Sequence, residues 1–219
     1  RVIIVFFSIP ADKIEVVYQG CDPSFIHPVA EEKKREVRAK YQLPDHYILN
    51  VGSIEERKNA LSAVQALMML PEQIHLVIVG RHTEYTDKVE HFIKENKLEE
   101  RVHIISNVPF DDLPAFYQLA EIFVYPSRFE GFGIPIIAAL YSGIPVVAAT
   151  GSCLEEAGGP DSIYVHPDDI KGMADAFKQI YTDPERKKNM IEKGHSFAKR
   201  FSEEKQAEEI LNIYKKLMK

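Results

Sequence analysis

Short apolar runs rich in β-branched and aromatic residues alternate along this chain with longer amphipathic stretches. Residues 14–17, 47–51, 76–79, 102–105, 122–125, 145–148 and 163–165 read as strands, each apolar over a strand's length and bounded by turn residues. Between them, helical spacing predicts helices over 31–41, about 59–70, 87–97, a short one from near Asp111, and 134–141. After the last strand the pattern is helical over 168–181, 184–200 and 202–218, divided at Asp183-Pro184 and Phe201-Ser202. Strands apolar on both faces that alternate with helices predict a doubly wound α/β fold, a parallel sheet with helices on both faces. Such sheets bind ligands at the carboxyl ends of their strands, near the switch in strand order. The strand-to-helix turns are therefore where chemistry is sought.

Three turns stand out. In residues 50–59, Gly52 permits close approach to the backbone, and Arg57 and Lys58 stand just before a helix, where free amides and the dipole favour an anion. Two cations there suit a diphosphate, although Glu55-Glu56-Arg57-Lys58 also reads as a solvated charged loop. In residues 123–135, Glu130 follows a strand end, and Gly131 and Gly133 lead into a helix with Pro135 in its first turn, where a missing N–H costs nothing. Glu130 could simply cap that helix, but capping does not need the glycines beyond it. In residues 76–82 a strand ends in Gly80 and Arg81. That lone glycine lacks the GxGxxG pattern of a dinucleotide site, and neither GxxxxGK[ST] nor HExxH occurs. Ser, His and Asp fall in no triad order.

Composition narrows the classes. The chain has 219 residues, 45% hydrophobic and 27% charged, enough for one well-buried domain. A net charge of −6 argues against a nucleic-acid polymer as the main partner. Cys21 and Cys153, the two cysteines, are too few for a disulfide framework and read as free thiols of a reducing compartment. The longest apolar run, residues 2–7, falls far short of the ~20 residues that span a bilayer, and no cleavage site follows it. Opening on such a run without an initiating Met, the chain reads as cut from a longer protein. His75, His103 and His166 flank strands and read as edge residues. The pairs Lys187-Lys188 and Lys215-Lys216 are interspersed with acids, which allows at most peripheral membrane contact.

The run Glu130-Gly131-Phe132-Gly133-Ile134-Pro135, continued by Ala139, Gly143, Pro145 and Val146-Val147, resembles the core motif of group 1, family-four-like retaining glycosyltransferases of two-domain GT-B architecture. The resemblance extends to residues 51–59, 76–80, 101–104 with Val108 and Asp112-Leu113, 165–168 and Phe201-Ser202. Residues 9–17 look like the family's lead-in to its C-terminal domain, so nearly the whole chain is covered. The resemblance implies that residues 1–219 form a single Rossmann-like nucleotide-sugar-binding domain, the C-terminal half of a GT-B enzyme. Residues 1–13 would be a remnant of the interdomain linker and 202–219 a C-terminal helix, with the N-terminal acceptor domain absent from this chain.

Residue by residue, the resemblance implies that Glu130 contacts the transferred sugar and Lys58 holds the donor diphosphate, with Arg57 nearby. Gly52, Ser53, Gly80, Arg81 and Leu113 would also line the donor site, with Val108, whose backbone would meet the base. Gly131 and the amides of Phe132 and Gly133 would lie beside the sugar and phosphates. Two departures stand out. The family often has Arg where this chain has Ser53, and its second glutamate falls on Ala138, where a carboxylate would bind ribose. On helical rise, positions 130 and 138 are on the order of 10 Å apart, so one serves the sugar and the other the ribose. Loss of that carboxylate would cost ~1.5–3 kcal/mol of donor binding and leave the sugar end intact.

The implied reaction is transfer of a hexose-type sugar from a nucleoside-diphosphate-sugar donor to a glycan or lipid-linked acceptor, with retention. It would serve cell-surface or capsular polysaccharide or glycoconjugate synthesis, in the cytoplasm or at the inner face of the membrane. No cofactor beyond the donor is expected, and no Asp-x-Asp metal motif is visible. Alone, the chain is expected to be poorly active. The alternative is a non-catalytic nucleotide-sugar-binding domain with a degenerate paired-glutamate motif. A GT-B-like epimerase is a third reading.

Overall fold

The computed structural model describes residues 7–218, so the opening apolar run lies, but for Phe7, outside the described residues. Six strands among the described residues form one parallel sheet in the order β3-β2-β1-β4-β5-β6. They are β1 Tyr47–Val51, β2 His75–Val79, β3 Val102–Ile105, β4 Ile122–Tyr125, β5 Val146–Ala149 and β6 Ile163–Val165. The α-helices that lie wholly among the described residues are α1 Glu31–Tyr41, α2 Ala60–Leu67, α3 Glu84–Glu95, α4 Leu113–Leu119, α5 Ile134–Tyr141, α6 Leu154–Gly158, α7 Ile170–Thr182, α8 Pro184–Ala198 and α9 Glu203–Leu217. This is the doubly wound α/β fold expected from the alternation of strands and helices.

Successive strand residues point to opposite faces, so each strand serves two cores. Ile48, Leu76, Ile78, Ile122, Val124 and Val147 pack on one side with Val64 and Leu67 of α2 and Phe177 of α7. On the other side the Phe123 ring stacks on Tyr117 of α4 at 5.2 Å, and the Tyr47 hydroxyl donates to the Phe116 carbonyl at 2.6 Å.

Two local expectations need correction, and one short helix was not expected. Residues 14–17 form no strand, and Glu15 and Val16 are exposed. α3 begins at Glu84, not Asp87, because Thr83 caps it: the Thr83 hydroxyl accepts from the Tyr85 amide, and the Thr86 hydroxyl accepts from the Thr83 amide. The short α6 has no counterpart in the periodicity.

The chain divides into two compact units. Asp22–Ala198 carries the whole sheet. The other unit ends at Cys21 and resumes at Lys199. Within it the Cys21 amide donates to the Phe201 carbonyl at 3.0 Å, the Gly20 amide to Gln206 Oε1 at 3.0 Å, and Tyr18 meets Phe201 edge-on. Among the described residues no helix is long and apolar enough to cross a membrane.

In the sheet-bearing unit, Asp112 fastens α1 to the start of α4. It is 3% exposed and accepts from Lys33 Nζ at 2.8 Å, Lys40 Nζ at 2.7 Å and the Tyr41 hydroxyl at 2.8 Å. Burial pushes its carboxyl up, but those three donors outweigh burial and hold it well below the usual carboxylate range. A depressed folded value means the stabilisation is complete above the unfolded carboxyl value and is lost as pH falls through the folded one. Asp112→Asn is therefore expected to lower the melting temperature at pH 7 by roughly 3–6 °C. Its loss of stability on acidification below about pH 4 should also be shallower than that of the unaltered chain. Thermal melts across pH 2–7 check this; parallel curves would refute it.

Candidate functional site

The two halves of the sheet are wound outward from β1 and β4, so the switch in strand order falls between these neighbours. Their backbone ladder covers Ile48–Ile122 and Leu49–Phe123. At the next position the Asn50 side chain replaces it, with Nδ2 donating to the Val124 carbonyl at 2.9 Å. A side-chain bridge is longer than a ladder bond, so the strand ends part here and the loops beyond them face each other.

The loop after β1 is drawn against the end of β2. The Gly52 amide donates to the Val79 carbonyl at 2.9 Å, and a methyl group on Gly80 would lie 1.9 Å from the Gly52 carbonyl oxygen. Glycine at position 80 is what lets the two strand ends come this close. Glu56–Lys58 then make a 3-10 turn that ends at Asn59 in the left-handed region, with φ 56°. Asn59 is 6% exposed, and its Nδ2 donates to the carbonyls of Pro126 at 3.3 Å and Pro167 at 2.8 Å. One amide thus ties together the loops after β1, β4 and β6. The Arg128 amide donates to the Arg57 carbonyl at 2.8 Å, and Arg57 Nη1 donates to the Phe129 carbonyl at 3.1 Å.

These ties bring opposite charges together. Glu130 lies with one carboxylate oxygen 3.3 Å from Arg57 Nη1 and the other 3.7 Å from Lys58 Nζ. The Lys58 and Glu130 side chains are 16% and 12% exposed, whereas Arg57 is 46% exposed. Arg57 also meets Glu55, Nε to Oε2, at 3.0 Å. The Ser53 hydroxyl donates to the other oxygen of Glu55, and this bond, with Arg57 and Lys58 nearby, holds the Glu55 carboxyl below its usual value. Below the cluster the Tyr125 hydroxyl donates to Glu130 Oε1 at 3.0 Å.

The loop after β4 runs from Glu130 into α5 through Gly133, which has φ 133° and serves as an N-cap without a side-chain bond to the helix amides. A methyl on Gly133 would stand 3.0 Å from the Ala157 methyl of α6, so the loop hugs that helix. Cys153, a free thiol, lies with Sγ 3.1 Å from the carbonyl oxygens of both Glu130 and Phe132. Burial first, then the charges of Glu130 and Glu156, pushes that thiol up, keeping it a protonated donor to this loop.

Of the residues singled out in the sequence, Lys58, Arg57 and Glu130 converge, and Gly52 adjoins them, since a methyl there would approach Lys58 Nζ to 2.8 Å. Ser53 acts through Glu55. Gly131 borders open space. Gly80 accepts a bond from the Ser106 hydroxyl, and Arg81 is exposed. Val108 and Leu113 follow β3, which β2 separates from β1. Ala138 is 3% exposed, so its methyl presents almost no surface to a ligand. Tyr125, Glu55, Asn59 and Cys153 were not read as site residues. A tyrosine at the last position of a strand whose next loop carries Glu130 was the available signal for the first.

Residues 31–197 match the family described as Glycosyl transferases group 1. The chain is 32% identical over 220 residues to O-antigen chain mannosyltransferase B of Escherichia coli, covering 98% of this chain and 58% of that protein. It is 30% identical over 180 residues to O-antigen chain mannosyltransferase RfbU of Salmonella typhimurium, covering 82% and 47%. The chain thus spans about half the length of these curated relatives. Among solved structures, a glycosyltransferase from Rickettsia africae superposes with a TM-score of 0.92 at 24% identity, over 100% of this chain and 61% of that one. Anabaena Alr3699/HepE, solved in complex with UDP and glucose, superposes with a TM-score of 0.85 at 18% identity, over 98% and 59%.

Proposed function

We propose, from the premise that this chain belongs to the glycosyl transferases group 1 family, that it is the donor-binding part of an enzyme that moves a hexose from a nucleoside diphosphate to a glycan or lipid-linked acceptor. The observation that carries this reading is the meeting of Lys58, Arg57 and Glu130 at the switch in strand order. As the bond from the anomeric carbon to the diphosphate breaks, negative charge collects on the leaving phosphate and positive charge on the sugar ring. Fixed cations lower the first and a fixed carboxylate the second. Lys58 and Arg57, from the loop after β1, serve the diphosphate in this reading. Glu130, from the loop after β4, serves the sugar. Gly133 adds a helix N-terminus with no side-chain cap, whose amides suit a phosphate oxygen.

The mannosyltransferase names of two relatives make mannose the first donor sugar to test, and their O-antigen role makes a saccharide acceptor the first class to try. A cytoplasmic reaction, where nucleotide-sugar donors are found, is part of this proposal. Ala138 presents no carboxylate for a ribose, so in this reading nucleoside recognition rests on backbone groups such as those around Val108. A thermal-shift titration with UDP, GDP, ADP and their hexose conjugates tests the proposal. One diphosphate series should raise the melting temperature. A folded chain indifferent to all of them would instead favour a domain that has lost donor binding.

A further inference from the structure

We infer that the Tyr125 hydroxyl is a positioning group that holds Glu130 apart from Lys58, so that the lysine stays available to a phosphate. The inference rests on the donor-site reading of the same cluster. Tyr125 is 2% exposed and closes β4, with its ring stacked on Phe123 at 5.9 Å. Its hydroxyl donates to Glu130 Oε1 at 3.0 Å and accepts from Lys58 Nζ at 3.4 Å. Lys58 Nζ also lies 5.7 Å from the centre of the Tyr125 ring. Lysine and glutamate therefore stand 3.7 Å apart, beyond direct hydrogen-bond length, with the phenol between them.

The phenol suits this task because it stays protonated. Burial first, then the charge of Glu130 and the bond to it, pushes its titration well above the ordinary tyrosine range. A neutral hydroxyl can give one bond and accept another, which a phenylalanine ring cannot. Without it, Oε1 loses its donor while the ammonium loses an acceptor, and the two close into a direct charge-assisted bond. Lysine would then reach a diphosphate only after leaving that bond.

Tyr125→Phe keeps the ring and its packing, so the fold should persist, and thermal melting serves as the control. In the ligand-free chain, acetylation of Lys58 read by mass spectrometry should slow by at least about 3-fold in Tyr125→Phe, an ion-paired amine being the less reactive. It should recover in the double variant Tyr125→Phe with Glu130→Gln, because the group that captures the lysine is gone. Donor KM should rise about 5–10-fold in Tyr125→Phe, more than kcat falls. Unchanged Lys58 labelling in Tyr125→Phe, or slowing that persists when Glu130 is already Gln, would overturn the inference. Labelling as expected in a chain that binds no nucleoside diphosphate would uphold the positioning role and overturn the donor-site reading.

Discussion

Glu130→Gln should lower sugar transfer by roughly 10²–10³-fold and yet bind the bare nucleoside diphosphate more tightly than the unaltered chain does. The two effects have opposite signs because Glu130 does two things. In the sugar-transfer step its negative charge stabilises the ring from which the diphosphate departs, and a neutral amide cannot. Before donor arrives, the same carboxylate pairs at 3.3 Å with Arg57, one of the cations meant for the phosphates. Arg57 is nearly half exposed, and such a pair contributes about 0.5–1 kcal/mol, so releasing it should improve diphosphate affinity by roughly 2–5-fold. Transfer is read from diphosphate release in the presence of acceptor, and affinity from calorimetric titration. A fall in both would leave the carboxylate as a mere binding group, and the charge-stabilising role would be lost.

Lys58→Ala should weaken both the nucleoside diphosphate and its sugar conjugate by roughly 10–100-fold, since a charge-assisted hydrogen bond is worth ~1.5–3 kcal/mol. The equal loss is the diagnostic part. A group that contacts the diphosphate acts on every ligand that carries one, whereas Glu130 separates the ligand with a sugar from the one without. Lys58→Arg should rescue little, because the ammonium sits between Gly52, where even a methyl would come within 2.8 Å, and the Tyr125 ring. The side chain lies outside the packed cores on either face of the sheet, so melting temperature should change little. An affinity loss confined to the sugar conjugate would contradict the assignment of Lys58 to the phosphates.

The alternation of apolar runs with amphipathic stretches was enough to read the sheet, because its strands are apolar along their length and the four inner ones are buried. Residues 47–51, 102–105, 122–125 and 163–165 form strands with the expected bounds. Residues 14–17 have the same apolar character, but a strand also needs a neighbour to pair with, and a local pattern cannot show whether one exists. α6 spans less than two turns, too short for a helical period to register. In the site, Lys58, Arg57 and Glu130 were legible because charges beside glycines at strand ends have few structural uses. Tyr125 was not, since an aromatic residue at the end of an apolar strand reads as core. It is core, and only its hydroxyl belongs to the site. Nor could spacing show that Asn59, an apparent helix start, binds the carbonyls of Pro126 and Pro167.

A nucleoside diphosphate is expected between the loops after β1 and β4, and an amide-resolved NMR titration with the diphosphate that gives the largest thermal shift would locate it. Saturable shifts should centre on Gly52, Lys58 and residues 131–134, and disappear in Lys58→Ala while the rest of the spectrum is preserved. Shifts centred elsewhere on the sheet-bearing unit, or shifts at these residues that survive the loss of Lys58, would contradict that expectation.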